Sequence, residues 1–485
     1  MHISKRIIAV LLVGILTAGL LVGSRIDWNS DNQEENPLAF LNHKETIHFW
    51  YGDEALADYV NSAAVAFGEA NNVRVFPHYV AESDYLEALN KASLQVGERV
   101  EAVGTSSSLP DVYLISHESL EKAYLAGLAV PVTDAAGILD EAHFPKAALT
   151  AVTYQDKLVA YPLYYETSAL LYNETYLYEW AVQQAGKADE ESGVNDGDEG
   201  EFEELDEIPE GENSPVVFDE ETIALRTEQF FARAVPESVE DILHMADTFD
   251  PPETVEGIFS WDVSDIFYNY YFVGNYMDVG GEYGDDRTQI HINNPEAIAS
   301  LQVYQGLNQF FSIDSSTVSY ESVLQDFLDG KLVFTIATTD AAVILANAKA
   351  EGSFAYDYGV ALIPDPSSQL QGRSMSVTTA VAINGYSEHK ELANAFAAYL
   401  VNDYAYHLYE RTGKAAANKN VNQDNGALQM FLAEYDESIP LPKLMEASNY
   451  WIQLEVLFAK VWNGEDVSSL VEQLDQQMRT QIGEP

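Results

Sequence analysis

"LPDVYLISHESLEKAYLAGLAVPV", residues 109–132, reads as a strand from Asp111 to Ile115, then polar Ser116-His117-Glu118, then a helix that stops near Gly127. A strand that ends in polar side chains and turns straight into a helix leaves those side chains at the mouth of a sheet. The sequence before it repeats the pattern. "TIHFWYG" (46–52) reads as a strand ending at Gly52. "DEALADYVNSAAVAFGEANN" (53–72) follows as a helix, with Leu56, Tyr59, Val60, Ala63 and Phe67 at helical spacing and Asp53 placed to cap its start. "VRVFPHYV" (73–80) is a second strand, and "SDYLEALNKASLQVG" (83–97) a helix opened by Ser83 or Asp84. The order β-α-β-α-β predicts a parallel sheet with helices on its faces. Ligands of such sheets bind beyond the carboxyl ends of the strands. Asp53 and the Ser116-His117-Glu118 tip both lie at such ends, so the mouth is expected to be a ligand site.

The chain has 485 residues, too many for a single hydrophobic core, and two or more lobes are expected. It carries 78 Asp and Glu against 24 Lys and Arg, a net charge of −54. That balance excludes nucleic acid as a partner, since a phosphate backbone would be repelled, and excludes broad docking on an anionic membrane surface. Lys5-Arg6 precede the apolar run "IIAVLLVGILTAGLLVG" (7–23). A cleavable signal peptide and an uncleaved membrane anchor both fit residues 1–24. In either case the basic flank stays inside and the rest is exported, with residues 25–44 as a tether. No cysteine is present, so disulfides, thiolate chemistry and a lipidated cysteine are all excluded.

Between Asp189 and Glu221 there are sixteen acidic residues and no basic one. Such a segment buries too little apolar surface to offset its ordering entropy, and 187–222 is expected to be a disordered surface insertion. A calcium loop is the sharper alternative, but the required spacing of carboxylates is not met at 196–200. After it comes an aromatic cluster, "FSWDVSDIFYNYYFVGNY" (259–276). A packed aromatic core is the default reading. A run so rich in Tyr also suits a half-polar surface of the kind that sugar rings present. Further on, 332–349 reads as strand, loop and helix, 356–364 and 375–385 as strands, and 389–402 as a helix. Residues 446–478 read as two helices split at Asn463-Gly464.

No catalytic motif stands out: there is no GxSxG, HExxH or P-loop. Carboxylate pairs abound, but 78 acids guarantee chance pairs, so no glycosidase dyad is argued. No catalytic residue, metal or cofactor is expected.

These stretches together resemble an extracellular solute-binding protein of an ABC importer, of the maltose/maltodextrin-binding type. "HFWYGDEALADYV" resembles that family's first strand and helix. "LPDVYLISHESLEKAYLAGLAVPV" resembles its Pro-Asp-strand, helix, Gly-Leu pattern. "LVAYPLYYETSALLYNETYL" resembles the segment at the first hinge crossing, "GKLVFTIATTDAA" the strand that usually ends in Gly-Pro-Trp, and "YGVALIPDP" with "TTAVAINGYSEHKELANAFAAYL" the return to the first lobe. The resemblance implies an α/β, two-lobe periplasmic-binding-protein-like fold with a hinged interlobe cleft. It implies residues 45–164 and 380–420 in one lobe, and 168–375 and 425–485 in the other. It further implies an oligosaccharide ligand, permease subunits as partners, a monomer, and a place on the extracellular face of the cytoplasmic membrane. A receptor of the same fold for a cationic or peptide ligand is the alternative.

By the same resemblance, Asp53, Glu118 and Glu166 match acidic sugar contacts, Tyr270 matches a stacking tyrosine (with Tyr271 or Tyr268 as alternatives), and Trp451 a stacking tryptophan flanked by Tyr450. Ionised carboxylates accept hydrogen bonds and sugar hydroxyls donate them, so the chemistry is consistent. For Asp53 a helix cap competes, and for the aromatics core packing does. Ile115 stands where the family often has Trp, Thr338-Thr339-Asp340 where it has Gly-Pro-Trp, and Glu455 where it has a late arginine. A long maltodextrin is therefore placed in doubt, and a shorter or different oligosaccharide is open.

Overall fold

The computed structural model describes residues 44–81, 85–94, 109–187, 219–421 and 423–483. The N-terminal apolar run, its tether up to residue 43, the Ser83 or Asp84 cap and residues 188–218 of the acidic stretch lie outside them.

Strands β1 (Thr46–Tyr51), β2 (Arg74–Tyr79) and β3 (Val112–Ser116) run parallel in the order β2-β1-β3, with Thr46 opposite Arg74 and Phe49 opposite Val112. Val112 to Ile115 are all buried, as an unbroken apolar run requires in a strand covered on both faces. Asp111 fixes the start of β3. Its carboxylate accepts from the His48 N–H (2.8 Å) and from the Ser387 hydroxyl (2.5 Å), tying β1 and the Ser387 turn to the start of β3. Between β1 and β2, Asp53 caps a short turn, Glu54–Leu56, that leads into the helix Ala57–Asn71. The predicted stripe of Leu56, Tyr59, Val60, Ala63 and Phe67 is buried throughout.

The remaining principal strands are β4 (Ala160–Asn173), β5 (Gly257–Phe259), β6 (Leu332–Thr338), β7 (Tyr358–Ala361) and β8 (Met375–Ile383). The order is β2-β1-β3-β8-β4-β6-β5, with β7 also on β4. The parallel expectation holds for β1 to β3, and β5 is parallel to β6 as well. β8 is antiparallel to β3 and to the first part of β4, and β6 and β7 are antiparallel to its second part. The reason lies in β4, whose fourteen residues pair first with β8 and then with β6. It carries the chain out of one half of the molecule and β8 brings it back, so the two must oppose.

The aromatic stretch at 259–276 is mostly core. Trp261, Tyr271 and Phe272 are at most 1% exposed. Trp261 stacks on Phe259 (4.6 Å) and meets Trp462 edge-on (5.7 Å), while its indole N–H donates to Asn269 at 2.8 Å. The acidic stretch ends earlier than its composition implies. Asp219 accepts from the Thr222 N–H (2.7 Å) and caps the helix Glu220–Phe231, with Glu220 and Glu221 in its first turn. Negative charge is favourable there, so these acids belong to a helix start. The C-terminal helices Tyr450–Trp462 and Val467–Ile482 part at Gly464, as expected.

Candidate functional site

A cleft lies where β3 and β6 end, where β8 starts, beside the middle of β4, and where the helix Tyr450–Trp462 begins. Its larger part is a cavity of 760 Å³, with Glu118, Glu166 and Lys414 among its lining and Asp265, Tyr268, Tyr320 and Asp340 also facing it. A smaller cavity of 390 Å³ adjoins it, reaching Lys122, Met445 and Tyr450. Glu118, Leu441, Ser448 and Trp451 line both.

The polar tip of β3 divides between two tasks. Glu118 opens into the cleft, and the surrounding walls desolvate its carboxyl and push it above the ordinary carboxylate range. His117 does not reach the mouth. It is fully buried, accepts from the Thr378 N–H through Nδ1 (3.0 Å) and donates from Nε2 to the Leu441 carbonyl (3.2 Å). Burial, with Lys443 nearby, drives its imidazole down to about 3, so it stays neutral and acts as a bolt between β3, β8 and the segment leading to Trp451.

Glu166 lies on β4 where the chain crosses, and lines the larger cavity. The expectation for Asp53 divides. Its Oδ1 accepts from the Ala55 N–H (2.9 Å), the capping role, while Oδ2 lies 3.0 Å from the Lys414 ammonium. Lys414 also meets Glu166 at 3.5 Å. Sequence reasoning missed this lysine. Gly413, with φ of +73°, ends the helix Leu408–Thr412, and Ala415-Ala416 pair with Tyr164-Tyr165 of β4, so Lys414 is held beside Glu166. The available signal was a helix-stop glycine followed by a cation in a chain poor in them.

Of the aromatics, Trp451 is part-exposed and faces both cavities. Tyr270 does not face the larger cavity. It is 4% exposed, and its ring lies behind Trp451 at 6.1 Å, tilted by 31°. The physical reason is the turn Tyr270–Phe272, which directs all three rings into the core. Tyr450 is 2% exposed and borders only the smaller cavity. The cavity-facing tyrosine of that cluster is Tyr268, on the short helix Ile266–Asn269 capped by Asp265. It stacks on Tyr320 at 5.1 Å and 17°. Tyr320 opens the helix Tyr320–Leu328, and its hydroxyl donates to Asp340 at 2.8 Å. Thr338-Thr339-Asp340 thus supplies no ring, yet Asp340 anchors an aromatic pair on that wall. Asp265 and Glu455 lie close together, and burial raises both carboxyls.

Behind the cleft runs a polar seam. The loop 280–287 approaches the segment 441–446 so closely that a Cβ on Gly284 would lie 2.8 Å from the Cα of Pro442. Fully buried Glu121 accepts from Arg287 (3.2 Å), the Tyr154 hydroxyl (3.1 Å) and the Met445 N–H (2.6 Å), while Arg287 grips Glu446 through both carboxylate oxygens. Lys443, 1% exposed, donates to the carbonyls of Thr150 (3.0 Å) and Tyr283. Among the described residues no group of three or more His, Asp or Glu is arranged to hold a metal.

The family model for bacterial extracellular solute-binding proteins matches residues 62–430, more than half of the chain. The chain belongs to that family. This solute-binding protein is 24% identical over 212 residues to the maltodextrin-binding protein MdxE of Bacillus subtilis, a match covering 42% of its own length and 49% of that relative, so it spans about half of the curated relative. Its fold matches the extracellular solute-binding protein from Staphylococcus aureus in complex with maltose, with a TM-score of 0.67 and 16% identity over 90% of this chain and 98% of that one. It also matches the maltose-binding periplasmic protein of Listeria monocytogenes in complex with maltose, at 0.64 and 18%, over 91% and 98%. The solute-binding protein therefore has the two-lobe α/β fold of binding proteins rather than of enzymes, and its family is extracellular. Among the described residues no helix is long and apolar enough to cross a membrane.

Proposed function

We propose that this protein captures a short neutral oligosaccharide of the maltose series by closing its lobes on it, and delivers it unchanged to ABC permease subunits at the extracellular face of the cytoplasmic membrane. The observation that carries this reading is the pairing of ring faces with carboxylates in one cavity. Trp451 and the Tyr268–Tyr320 pair offer aromatic surface, and Glu118 and Glu166 offer acceptors. Sugar rings need both, a C–H face to stack and hydroxyls to donate. Glu118 approaches from the end of β3 and Tyr268 from the opposite wall, so a ligand that touches both stabilises the closed arrangement over the open one. Asp53 acts through Lys414, and Tyr270 and Tyr450 hold Trp451 from behind. The lobes follow the division 45–164 with 380–420 and 168–375 with 425–485, the protein works as a monomer, and the N-terminal segment delivers or anchors it.

A thermal-shift screen of the exported part against maltose, maltotriose and maltotetraose, with polyamines and divalent cations alongside, tests this. A ligand that binds only the native state raises the melting temperature by mass action. A rise with the oligosaccharides, recovered intact afterwards, is expected. A rise with polyamines alone would instead favour a cationic ligand, the second reading, which the four acids lining the larger cavity support. Deleting residues 188–218 is expected to leave oligosaccharide affinity within about twofold, since a segment with thirteen acids and no base is expected to stay out of a packed site. A larger loss in calorimetric titration would place that segment at the cleft.

A further inference from the structure

We propose that Lys414 is itself a ligand-contacting residue and sets the preference of the cavity for neutral over cationic sugars. This rests on the oligosaccharide reading of the same site. Four carboxylates line the larger cavity, from Glu118, Glu166, Asp265 and Asp340, and Lys414 is the cation among its lining residues. Carboxylates only accept hydrogen bonds. A sugar hydroxyl donates one and accepts others, so a wall of acids satisfies half of each hydroxyl. An ammonium has three N–H donors. Two of those on Lys414 are directed at Asp53 (3.0 Å) and Glu166 (3.5 Å), leaving the third for a ligand oxygen.

The geometry supports a fixed donor rather than a wandering surface lysine. The Lys414 side chain is 23% exposed, and its ammonium lies 5.1 Å from the centre of the Tyr164 ring. Burial alone would depress that ammonium, yet Tyr164, Glu166 and Asp53 outweigh it and hold Lys414 above its ordinary range. The backbone is equally constrained, by the left-handed Gly413 on one side and the pairing of Ala415-Ala416 with β4 on the other. The result is an ammonium held between two carboxylates, with Lys414 and Glu166 lining the cavity and Asp53 behind them. One hydroxyl of a vicinal diol can donate to Glu166 while its neighbour accepts from Lys414, with Asp53 holding the lysine from outside the lining. Without the lysine the two carboxylates are unscreened and favour a protonated amine in place of a hydroxyl.

The test is isothermal titration of the parent, Lys414→Met and Lys414→Arg with maltotriose and with a trimer of protonated glucosamine, alongside unliganded melting temperatures. Lys414→Met is expected to weaken maltotriose binding by roughly tenfold or more. The glucosamine trimer should gain relative to maltotriose, and the melting temperature should move by no more than about 3 °C. Parent-like maltotriose affinity in Lys414→Met overturns the inference while leaving the oligosaccharide reading in place. If the parent itself binds no oligosaccharide, that reading falls and the inference falls with it. Should Lys414→Met fail to fold, Lys414→Arg decides. It keeps the charge and both ion pairs but carries a larger head with a different donor geometry. A loss of about fivefold or more in Lys414→Arg at unchanged melting temperature supports contact with the ligand, and full affinity overturns it.

Discussion

Trp451→Ala is expected to weaken oligosaccharide binding by roughly 100-fold, about 2.7 kcal/mol, with little change in folding. The size follows from where the ring sits. Trp451 lines both cavities, is backed by Tyr270 at 6.1 Å, and lies in the first turn of a helix whose core face is made by other residues, Leu454, Leu457, Phe458 and Val461. A rigid aromatic surface at the junction of two subsites touches more of a ligand than any neighbour does, and it loses little freedom on binding because it is already packed. Calorimetric titration and a melting curve check both halves. An affinity within threefold of the parent would remove Trp451 from the site, and a collapse of the melting curve would show it to be a core residue. Tyr270→Leu should give a smaller version of the same loss, because it frees the ring of Trp451 without removing it.

Arg287→Ala should cost about 3 kcal/mol of stability, read as a lower urea midpoint, because it leaves the fully buried Glu121 carboxylate without its cation. Two donors remain to that carboxylate, the Tyr154 hydroxyl and the Met445 N–H, which keeps the estimate at the lower end for a broken buried pair. Glu446→Gln makes the useful contrast. It removes the partly exposed carboxylate of the trio, with Arg287 still on Glu121, and should cost less than about 1 kcal/mol. Equal effects from the two substitutions would mean that Arg287 and Glu446 carry the seam and that Glu121 is held by its neutral donors.

Much of the fold was legible because the first hundred residues after the tether obey local rules. Each of β1, β2 and β3 is a short run bounded by polar residues or Gly, and the helix after β1 shows its buried stripe at the right spacing. The place of Glu118 and Glu166 in the cavity lining was legible for the same reason, one just past a strand end and one on β4. The reversed strands were not. Whether β8 lies parallel or antiparallel to β3 depends on how two distant segments return to one another, which no local pattern records. Tyr270 and His117 show the other limit. The runs stand out in the sequence, but a single turn decides which side chain of a run faces out, so Tyr268 and Glu118 line the cavity while Tyr270 and His117 turn inward. Lys414 and Tyr320 come to the cavity from the end of one helix and the beginning of another, far from the motifs in sequence. They meet in the cavity lining only once the chain is folded.

Lys443 makes the seam behind the cleft a proton-linked element. Burial drives its ammonium down to about 7, against the attraction of Asp285, whereas the unfolded chain keeps the ordinary value of 10.5. Below the lower value both states hold the proton and the folded state carries the full desolvation penalty. Between the two values the unfolded state holds more protons, so stability rises with pH across that window. Any opening that exposes Lys443 to water obeys the same sign, since the opened form takes up a proton that the sealed form gives away. Alkaline medium should therefore fasten the seam and mildly acidic medium should loosen it. Melting curves from pH 6 to 9 should climb in the parent and flatten in Lys443→Met, whose side chain carries no proton to exchange; parallel slopes would assign the pH response elsewhere. The expected pH response comes from a residue that lines neither cavity.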